Sequence, residues 1–263
     1  MARFWGYLGD NKNPYAVYDF TTDRSRAGPQ RFFTSFQGYL QADAYGGYDG
    51  IYSNANDPDS GIVEVACWVH CRRYWHKARE QDPQRVHHAL AFISRLQEVE
   101  RATRDCDALL RVAKRDEHAA PLLAKFGNWL EGETFLPKSL IGKAATYTRN
   151  QWAALNRYID DGDLSFDNNF AVRAMRPIAI GRKNWLLVGS ERAGHRAAVL
   201  TSLIASCKNN EVEPWAYLKD IFTRLAYRPS AEQLNELLPD QWLKANPSHR
   251  WDIDQIRRKE RNS

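Results

Sequence analysis

The sequence lacks several features that define whole classes of protein. No apolar run approaches the roughly 18 residues that a membrane-spanning helix needs. Residues 1–5 contain neither the apolar core nor the cleavage pattern of a signal peptide. Four cysteines in 263 residues do not make a disulfide scaffold, and the 15 glycines and 11 prolines exclude collagen-like and low-complexity chains. We therefore expect a reduced, cytoplasmic protein that does not enter a membrane.

What the chain does contain is an ordinary share of core-forming residues. Hydrophobic residues make up 43% and aromatic residues 12%, with nine tryptophans, so the length suits one large domain or two small ones. The net charge is +5 and the pI about 9.0. This mild excess of cations is compatible with nucleic acid as a partner, but it is equally compatible with a protein that binds no polyanion.

The first 70 residues are predicted to form strands joined by short connections. Aromatic and β-branched residues predict strands at 4–8 and 15–20, joined as a hairpin, and a short strand over 40–43. Residues 62–69 form the strongest strand pattern of the chain. Short helical or turn segments are expected at 29–36 and 45–52.

Residues 72–161 are predicted to be an all-α insertion. Apolar residues at three- and four-residue spacings form a stripe that continues after a break: Val86, Leu90, Ile93, Leu96 and Val99, then Leu109, Leu110 and Ala113. Asp82 and Pro83 suit a helix start. Two more helical stretches are expected at 122–129 and 141–158, and a turn at 161–163 closes the block.

The remaining chain is predicted to be mainly helical. A helix follows Asp167-Asn168-Asn169 and runs to about Met175. A turn at 181–184 is expected to lead into a short strand at 185–188. Helices are then predicted at 193–206 and 215–225, and a basic tail ends the chain.

Two carboxylates are candidates for metal binding. Asp43 ends the strand at 40–43, where its side chain can point from a sheet edge toward a cation. The alternative is a turn or capping aspartate. Asp167 precedes a helical pattern, which favours a capping role over a metal ligand.

The segment from Arg173 to Arg196 is a candidate phosphate-binding surface. It carries six cations against the single acid Glu191, with Asn184 and Trp185 among them: Arg173, Arg176, Arg182, Lys183, Arg192 and Arg196. A solvated basic face is the alternative of equal weight.

Cys67, His70 and Cys71 have the residue types of a zinc site. No second Cys/His pair follows at the usual spacing. Packing of the two cysteines in the core is therefore favoured over a zinc site.

Five separated blocks, in order, resemble the insertion sequence 66 family of bacterial transposases. The similarity spans roughly residues 4–226, and its blocks are residues 38–49, 66–73, 136–139, 167–185 and 202–218.

This resemblance implies an α/β fold with an incomplete ribonuclease-H-like core, an all-α insertion and a small helical C-terminal segment. The implied boundaries are 1–71 for the first part of the core, 72–161 for the insertion, 162–206 for the second part of the core, and 207–263 for the C-terminal segment and basic tail.

The resemblance also implies a DDE site, in which three carboxylates hold two Mg²⁺ ions for phosphodiester cleavage and strand transfer. Asp43 matches the second carboxylate and would be the catalytic metal ligand. The implied partner is DNA at transposon ends, contacted by Arg173, Arg176, Arg182, Lys183 and Asn184.

Two departures from the family pattern bear on activity. Residues 4–7 correspond to the second strand of the family core, so the first strand, its aspartate and the family's N-terminal DNA-binding region are expected to be missing. The first strand would pair on both sides, so strands 4–8 and 40–43 each lose a partner. Val172 stands where the family has its glutamate, and valine offers no oxygen to a cation.

We therefore expect a transposase fragment that is inactive as it stands. The alternative is a non-catalytic DNA-binding or dominant-negative remnant, acting as a homo-oligomer or by pairing with an intact transposase. A decayed gene whose product does nothing is the third interpretation.

Overall fold

The computed structural model confirms a mixed α/β protein that is mostly helical and has small sheets. It describes residues 3–43, 48, 50–52, 59, 61–184 (the backbone alone at 182–184) and 189–251. Among the helices in these ranges, none is long and apolar enough to cross a membrane. The chain divides into two compact units, Ser25–Phe170 and Met1–Arg24 with Ala171–Ser263.

In the unit Ser25–Phe170, a short helix is followed by a parallel pair of strands. Helix α1 spans Ala27–Phe32, strand β3 spans Gly38–Gln41 and strand β4 spans Ile62–Val65. The register places Gln41 opposite Val65. In the described residues β3 pairs with β4 alone. Most of the helix or turn predicted at 45–52 lies outside the described residues.

The prediction of a strand over 62–69 is wrong in its second half. Strand β4 ends at Val65, and helix α2 begins at Trp68 and ends at Lys77. Trp68, Cys71 and Trp75 are fully buried at spacings of three and four residues, which is a helical period. The Cys67 carbonyl accepts the first hydrogen bonds of this helix. Burial of the three side chains against the helical block therefore outweighs the β propensity of the segment.

Helices follow β4 almost without interruption, as predicted for residues 72–161. They are α2, α3 (Pro83–Ala102), α4 (Ala108–Lys114), α5 (Ala120–Gly132), α6 (Leu140–Asn150) and α7 (Trp152–Asn156). Asp82 caps α3 and Ser139 caps α6 through side-chain acceptors. A π-helical turn over Arg115–Ala119 joins α4 to α5.

The core of this unit is rich in aromatic side chains. Trp68 stacks on Phe166 with a centroid separation of 6.0 Å, and its indole donates to the Leu155 carbonyl at 2.8 Å. The Trp75 indole donates to Thr148 Oγ1 at 2.9 Å. Both buried indole N–H groups are thus satisfied, which removes the cost of burying them.

The apolar stripe predicted on α4 is wrong. Leu109 is 86% exposed and Leu110 is 47% exposed. Helix α4 buries no residue, whereas α3 buries Val86, Ile93 and Leu96 as predicted. Two leucines and an alanine on a two-turn helix match the helical period by composition alone, and no element among the described residues buries them.

The second unit is built on an antiparallel hairpin. Strand β1 (Arg3–Leu8) pairs with β2 (Ala16–Thr21), with Leu8 opposite Ala16. This confirms the predicted hairpin. In the described residues β1 pairs with β2 alone.

Helix α10 (Glu191–Asn209) closes the outer edge of β2. Ser206 Oγ accepts from the Ala16 amide at 3.0 Å and lies 3.1 Å from its carbonyl. Ser202 Oγ accepts from the Tyr18 amide at 2.7 Å. These two hydroxyl groups therefore bind backbone groups of β2 that a neighbouring strand would otherwise bind.

The other helices of this unit lie before and after α10 in the sequence. They are α8 (Asn169–Ala174), in which the unit boundary falls, α9 (Arg176–Asn184), α11 (Pro214–Leu225), α12 (Ala231–Glu236) and α13 (Pro239–Ala245). Helices α12 and α13 were not predicted. The Ser230/Gln233 capping box at the start of α12 is a sequence signal that could have revealed it.

The predicted turn at 181–184 is also wrong, because α9 continues through it to Asn184. Pro177 occupies the first turn of α9, where proline is tolerated, and the helix then includes Gly181. The predicted strand at 185–188 and the basic tail at 252–263 lie outside the described residues.

Candidate nucleic-acid and metal site

Asp43 lies at the carboxyl end of the parallel pair β3–β4. The Ala42 amide donates to the Val65 carbonyl at 3.1 Å, so the strand ladder extends one residue beyond β3. Asp43 is the next residue and its side chain is exposed. Carboxyl ends of adjacent parallel strands share one edge of a sheet, so Asp43 and the start of α2 lie at the same edge.

His70, in the first turn of α2, lies within electrostatic reach of Asp43. Burial lowers the pKa of His70, the positive charge of Arg73 lowers it further, and the carboxylate of Asp43 opposes both effects. His70 Nε2 lies 3.2 Å from an Arg73 guanidinium nitrogen. Nδ1 is buried and has no hydrogen-bond partner among the described residues. Because its pKa is lowered, the imidazole is neutral at pH 7.

Sequence reasoning considered His70 only as a zinc ligand. His70 lies at the edge of the sheet with Asp43 because β4 ends early, at Val65, and the helix begins at Trp68 and not at Arg72. The buried spacing of Trp68, Cys71 and Trp75 is the sequence signal that could have placed His70 at this edge.

Cys67 and Cys71 are buried in the core. Cys67 Sγ accepts from the Asn168 amide at 3.2 Å, and Cys71 Sγ lies 3.3 Å from Thr148 Oγ1. Burial raises the pKa of the Cys71 thiol to about 12 and also raises that of Cys67. Protonated, enclosed thiols are poor zinc ligands, which supports the packing interpretation.

Asp167 binds its own backbone turn. Its two carboxylate oxygens accept from the Asn169 amide at 2.8 Å and from the Asn169 side-chain amide at 2.7 Å. These bonds support the capping interpretation at the start of α8, because they occupy both oxygens locally.

The residues present do not fit the two-ion site that the family pattern implies. Val172 lies in α8 with its side chain 44% exposed, and it offers no ligand atom. Across the described ranges, no three His, Cys, Asp or Glu side chains come together to hold a metal ion. Asp43 is exposed and belongs to no such group in the part of the chain that the structure describes, and a hard divalent cation requires more oxygen ligands than one carboxylate supplies.

The basic segment runs through three helices. Arg173 lies in α8, Arg176 opens α9, and Arg192 and Arg196 lie in α10, all with exposed side chains. Arg182, Lys183 and Asn184 lie in the last turn of α9, and their side chains are outside the described part of the chain. Glu191 lies 3.8 Å from His195. No ion pair joins the four described arginines to a carboxylate in the described residues.

Comparison with known proteins extends these observations. Residues 1–196 match the family model described as transposase IS66 family, and residues 202–239 match the IS66 C-terminal element. The two models together account for most of the chain. No solved structure matches it.

Curated relatives are similar along nearly the whole chain. The uncharacterized proteins y4hP and y4jD of Sinorhizobium fredii (strain NBRC 101917 / NGR234) are 31% and 30% identical to it, over 93% and 92% of this chain. These matches cover 48% and 50% of the two relatives. The chain therefore spans about half the length of the curated relatives that it matches.

Proposed function

We propose, because this chain belongs to the IS66 family of transposases, that it takes part in DNA transposition but does not cleave or join DNA strands by itself. Val172 carries this proposal. In the family pattern a glutamate follows Asp167-Asn168-Asn169 on the same helix, whereas α8 presents a half-exposed hydrocarbon side chain there. The absence of a three-ligand group in the described residues supports it.

We also propose that residues 38–65 and the helices after them belong to a ribonuclease-H-like core with a helical insertion at 72–161. The parallel pair β3–β4, with Asp43 at its carboxyl end, supports this arrangement. The helical run that begins directly after β4 supports the insertion.

A cleavage assay tests the lack of activity. The purified chain, incubated with duplexes of its cognate transposon ends and Mg²⁺ or Mn²⁺, should leave every strand intact. Val172→Glu alone should not restore cleavage, because it adds a single carboxylate where no three metal-ligating side chains come together in the described residues. Gel electrophoresis of end-labelled strands measures the result.

The control is Asp105→Asn, which removes an exposed carboxylate in the helical block. Metal-dependent nicking by the wild-type chain that is lost in Asp43→Asn and kept in Asp105→Asn would contradict the proposal.

A non-catalytic DNA-binding role is the second candidate, and the four exposed arginines of α8, α9 and α10, which form no ion pair within the described ranges, favour it. The chain would then occupy transposon ends or pair with an intact transposase as a dominant-negative partner.

If residues 173–196 face DNA, binding should be weak, non-specific and salt-dependent. Arg182→Ala with Lys183→Ala should weaken binding to all sequences and flatten the salt slope by about one unit per lost phosphate contact. Fluorescence anisotropy against salt concentration measures both. Lys125→Ala with Lys138→Ala, exposed lysines of the other unit, is the charge-matched control. An unchanged slope would assign Arg182 and Lys183 to a solvated basic face.

A further inference from the structure

We propose that helix α2 holds the phosphodiester backbone of duplex DNA beside Asp43, through a cationic face that consists of Arg72, Arg73 and Lys77. This inference rests on the proposed function, since it assumes that the chain binds DNA. It names a second contact surface, in the unit Ser25–Phe170 and separate from residues 173–196.

The packing of α2 fixes which side chains point outward. Trp68, Cys71 and Trp75 are fully buried along one side of the helix. Arg73 and Lys77 occupy the opposite side, Arg72 lies on the flank between the two sides, and all three are exposed. Because the Trp75 indole and the Cys71 thiol both contact Thr148 of α6, the helix cannot rotate to hide these charges without losing buried contacts.

The charges of the cationic face are not neutralised by the protein. Within the described ranges, none of its three members has a carboxylate partner. Glu80, the one acidic residue between Cys67 and Gln81, lies 3.7 Å from Arg79 instead. Like charges one helical turn apart repel each other, so a bound polyanion would relieve a cost that the free protein carries.

The aromatic side chains beside the face hold one of its cations in place. Lys77 Nζ lies 5.9 Å from the centre of the Tyr74 ring. Tyr74 in turn stacks on Tyr147 of α6, with ring centroids 4.4 Å apart. This stack restricts the lysine stem and lowers the side-chain entropy lost when the ammonium group binds a phosphate.

The position of α2 connects this face to the candidate catalytic carboxylate. The guanidinium of Arg73 lies 3.2 Å from Nε2 of His70, and His70 is in the first turn of α2, which begins just after β4 at the sheet edge where Asp43 lies. A phosphate bound by Arg73 would therefore lie at the edge where β3 and β4 end.

The spacing and composition of the face favour DNA over a lipid surface. From Arg72 to Lys77 the helix rises about 8 Å, which corresponds to two or three phosphates along one strand of a duplex. A membrane-binding helix would expose large apolar residues beside its cations. On α2 the only large hydrophobic side chain that is exposed is Tyr74, at 41%.

Salt-dependent binding of the full chain to a short labelled DNA duplex of random sequence tests the proposal. The triple variant Arg72→Gln, Arg73→Gln, Lys77→Gln should bind at least about tenfold more weakly near 0.1 M salt, with a slope of log affinity against log salt that is flatter by about two to three units. The variant Arg72→Lys, Arg73→Lys keeps the charges and should keep the slope.

The matched control is Arg95→Gln, Arg104→Gln, Lys125→Gln, which removes the same charge from exposed positions of the same unit. It should change affinity by less than about threefold, because non-specific long-range attraction is largely screened. Circular dichroism of each variant at the same salt verifies the helix content. Equal losses in the triple variant and the control would overturn the proposal.

The remaining outcomes separate this inference from the proposed function. The inference alone would be overturned if the α2 triple variant keeps the salt slope of the wild-type chain while Arg173→Gln, Arg176→Gln binds DNA more weakly. DNA binding itself would then stand. No binding of the wild-type chain to duplex DNA at low salt would overturn both. The proposal would also be overturned if the affinity for duplex RNA depends on the α2 cations and the affinity for duplex DNA does not.

Discussion

The guanidinium of Arg115 is the most completely buried charge that the structure describes. It is 1% exposed and forms a bidentate ion pair with Glu100, at 2.8 and 2.7 Å. It also donates to the carbonyls of Tyr158, Asp161 and Leu164. One side chain thus ties α3 to the segment that ends the helical block.

Arg115→Ala should destabilise the protein by about 3–5 kcal/mol, because it leaves the Glu100 carboxylate and three carbonyls without their donor. Urea unfolding followed by far-UV circular dichroism measures the loss. Arg95→Ala on the exposed face of α3 is the control and should cost less than about 0.5 kcal/mol. Equal stability of the two variants would show that water replaces the buried network without cost.

At the scale of elements, the contact of α10 with β2 decides whether the hairpin has an exposed outer edge. Ser202 and Ser206 are one helical turn apart, and Tyr18 and Ala16 are two strand residues apart. Four helical residues rise about 6 Å and two strand residues rise about 7 Å, so the two spacings nearly coincide. This match lets two hydroxyl groups serve two successive backbone positions of the strand.

Ser202→Ala with Ser206→Ala should therefore destabilise the protein by about 2–4 kcal/mol, at 1–2 kcal/mol for each unsatisfied backbone position. Thermal unfolding measures the change. Thr201→Ala is the control, since its hydroxyl donates only to the Ala197 carbonyl of its own helix. A double variant as stable as this control would contradict the role given to the two serines.

At the scale of the whole molecule, the two units should differ in local stability. The unit Ser25–Phe170 has a large aromatic core, whereas in the described residues the hairpin β1–β2 packs in a smaller cluster around Ala16, Tyr18 and Phe20. A two-stranded sheet is stable only through what packs on it. The free energy of local opening should therefore be larger in α3 and α5 than in β1.

Hydrogen exchange of backbone amides tests this difference. Residues 86–96 of α3 should exchange most slowly and residues 4–8 of β1 faster. Helix α4 serves as an internal control, because it is helical but buries no side chain and should exchange quickly. Uniformly slow exchange across β1, α3 and α4 would contradict the expectation.

Much of the secondary structure could be predicted because the relevant signals are local. The hairpin, the helical run after β4 and the start of α8 follow from period, capping residues and turn residues. The candidate site was predicted in part, since Asp43 lies at a strand end as expected and Asp167 caps its turn. His70 was missed as its neighbour, because the end of β4 depends on burial of Trp68 in a core built from residues far along the chain.

The sequence by itself determined the family and predicted the place of Asp43 at a strand end, because residue identity and order are enough for each. Tertiary structure alone decided that Arg115 is buried while Leu109 is exposed. It also decided that two serines close a strand edge and that the guanidinium of Arg73 lies beside His70 in the first turn of α2. Each of these depends on contacts between distant segments, whose free energy exceeds the local preference of the residues involved.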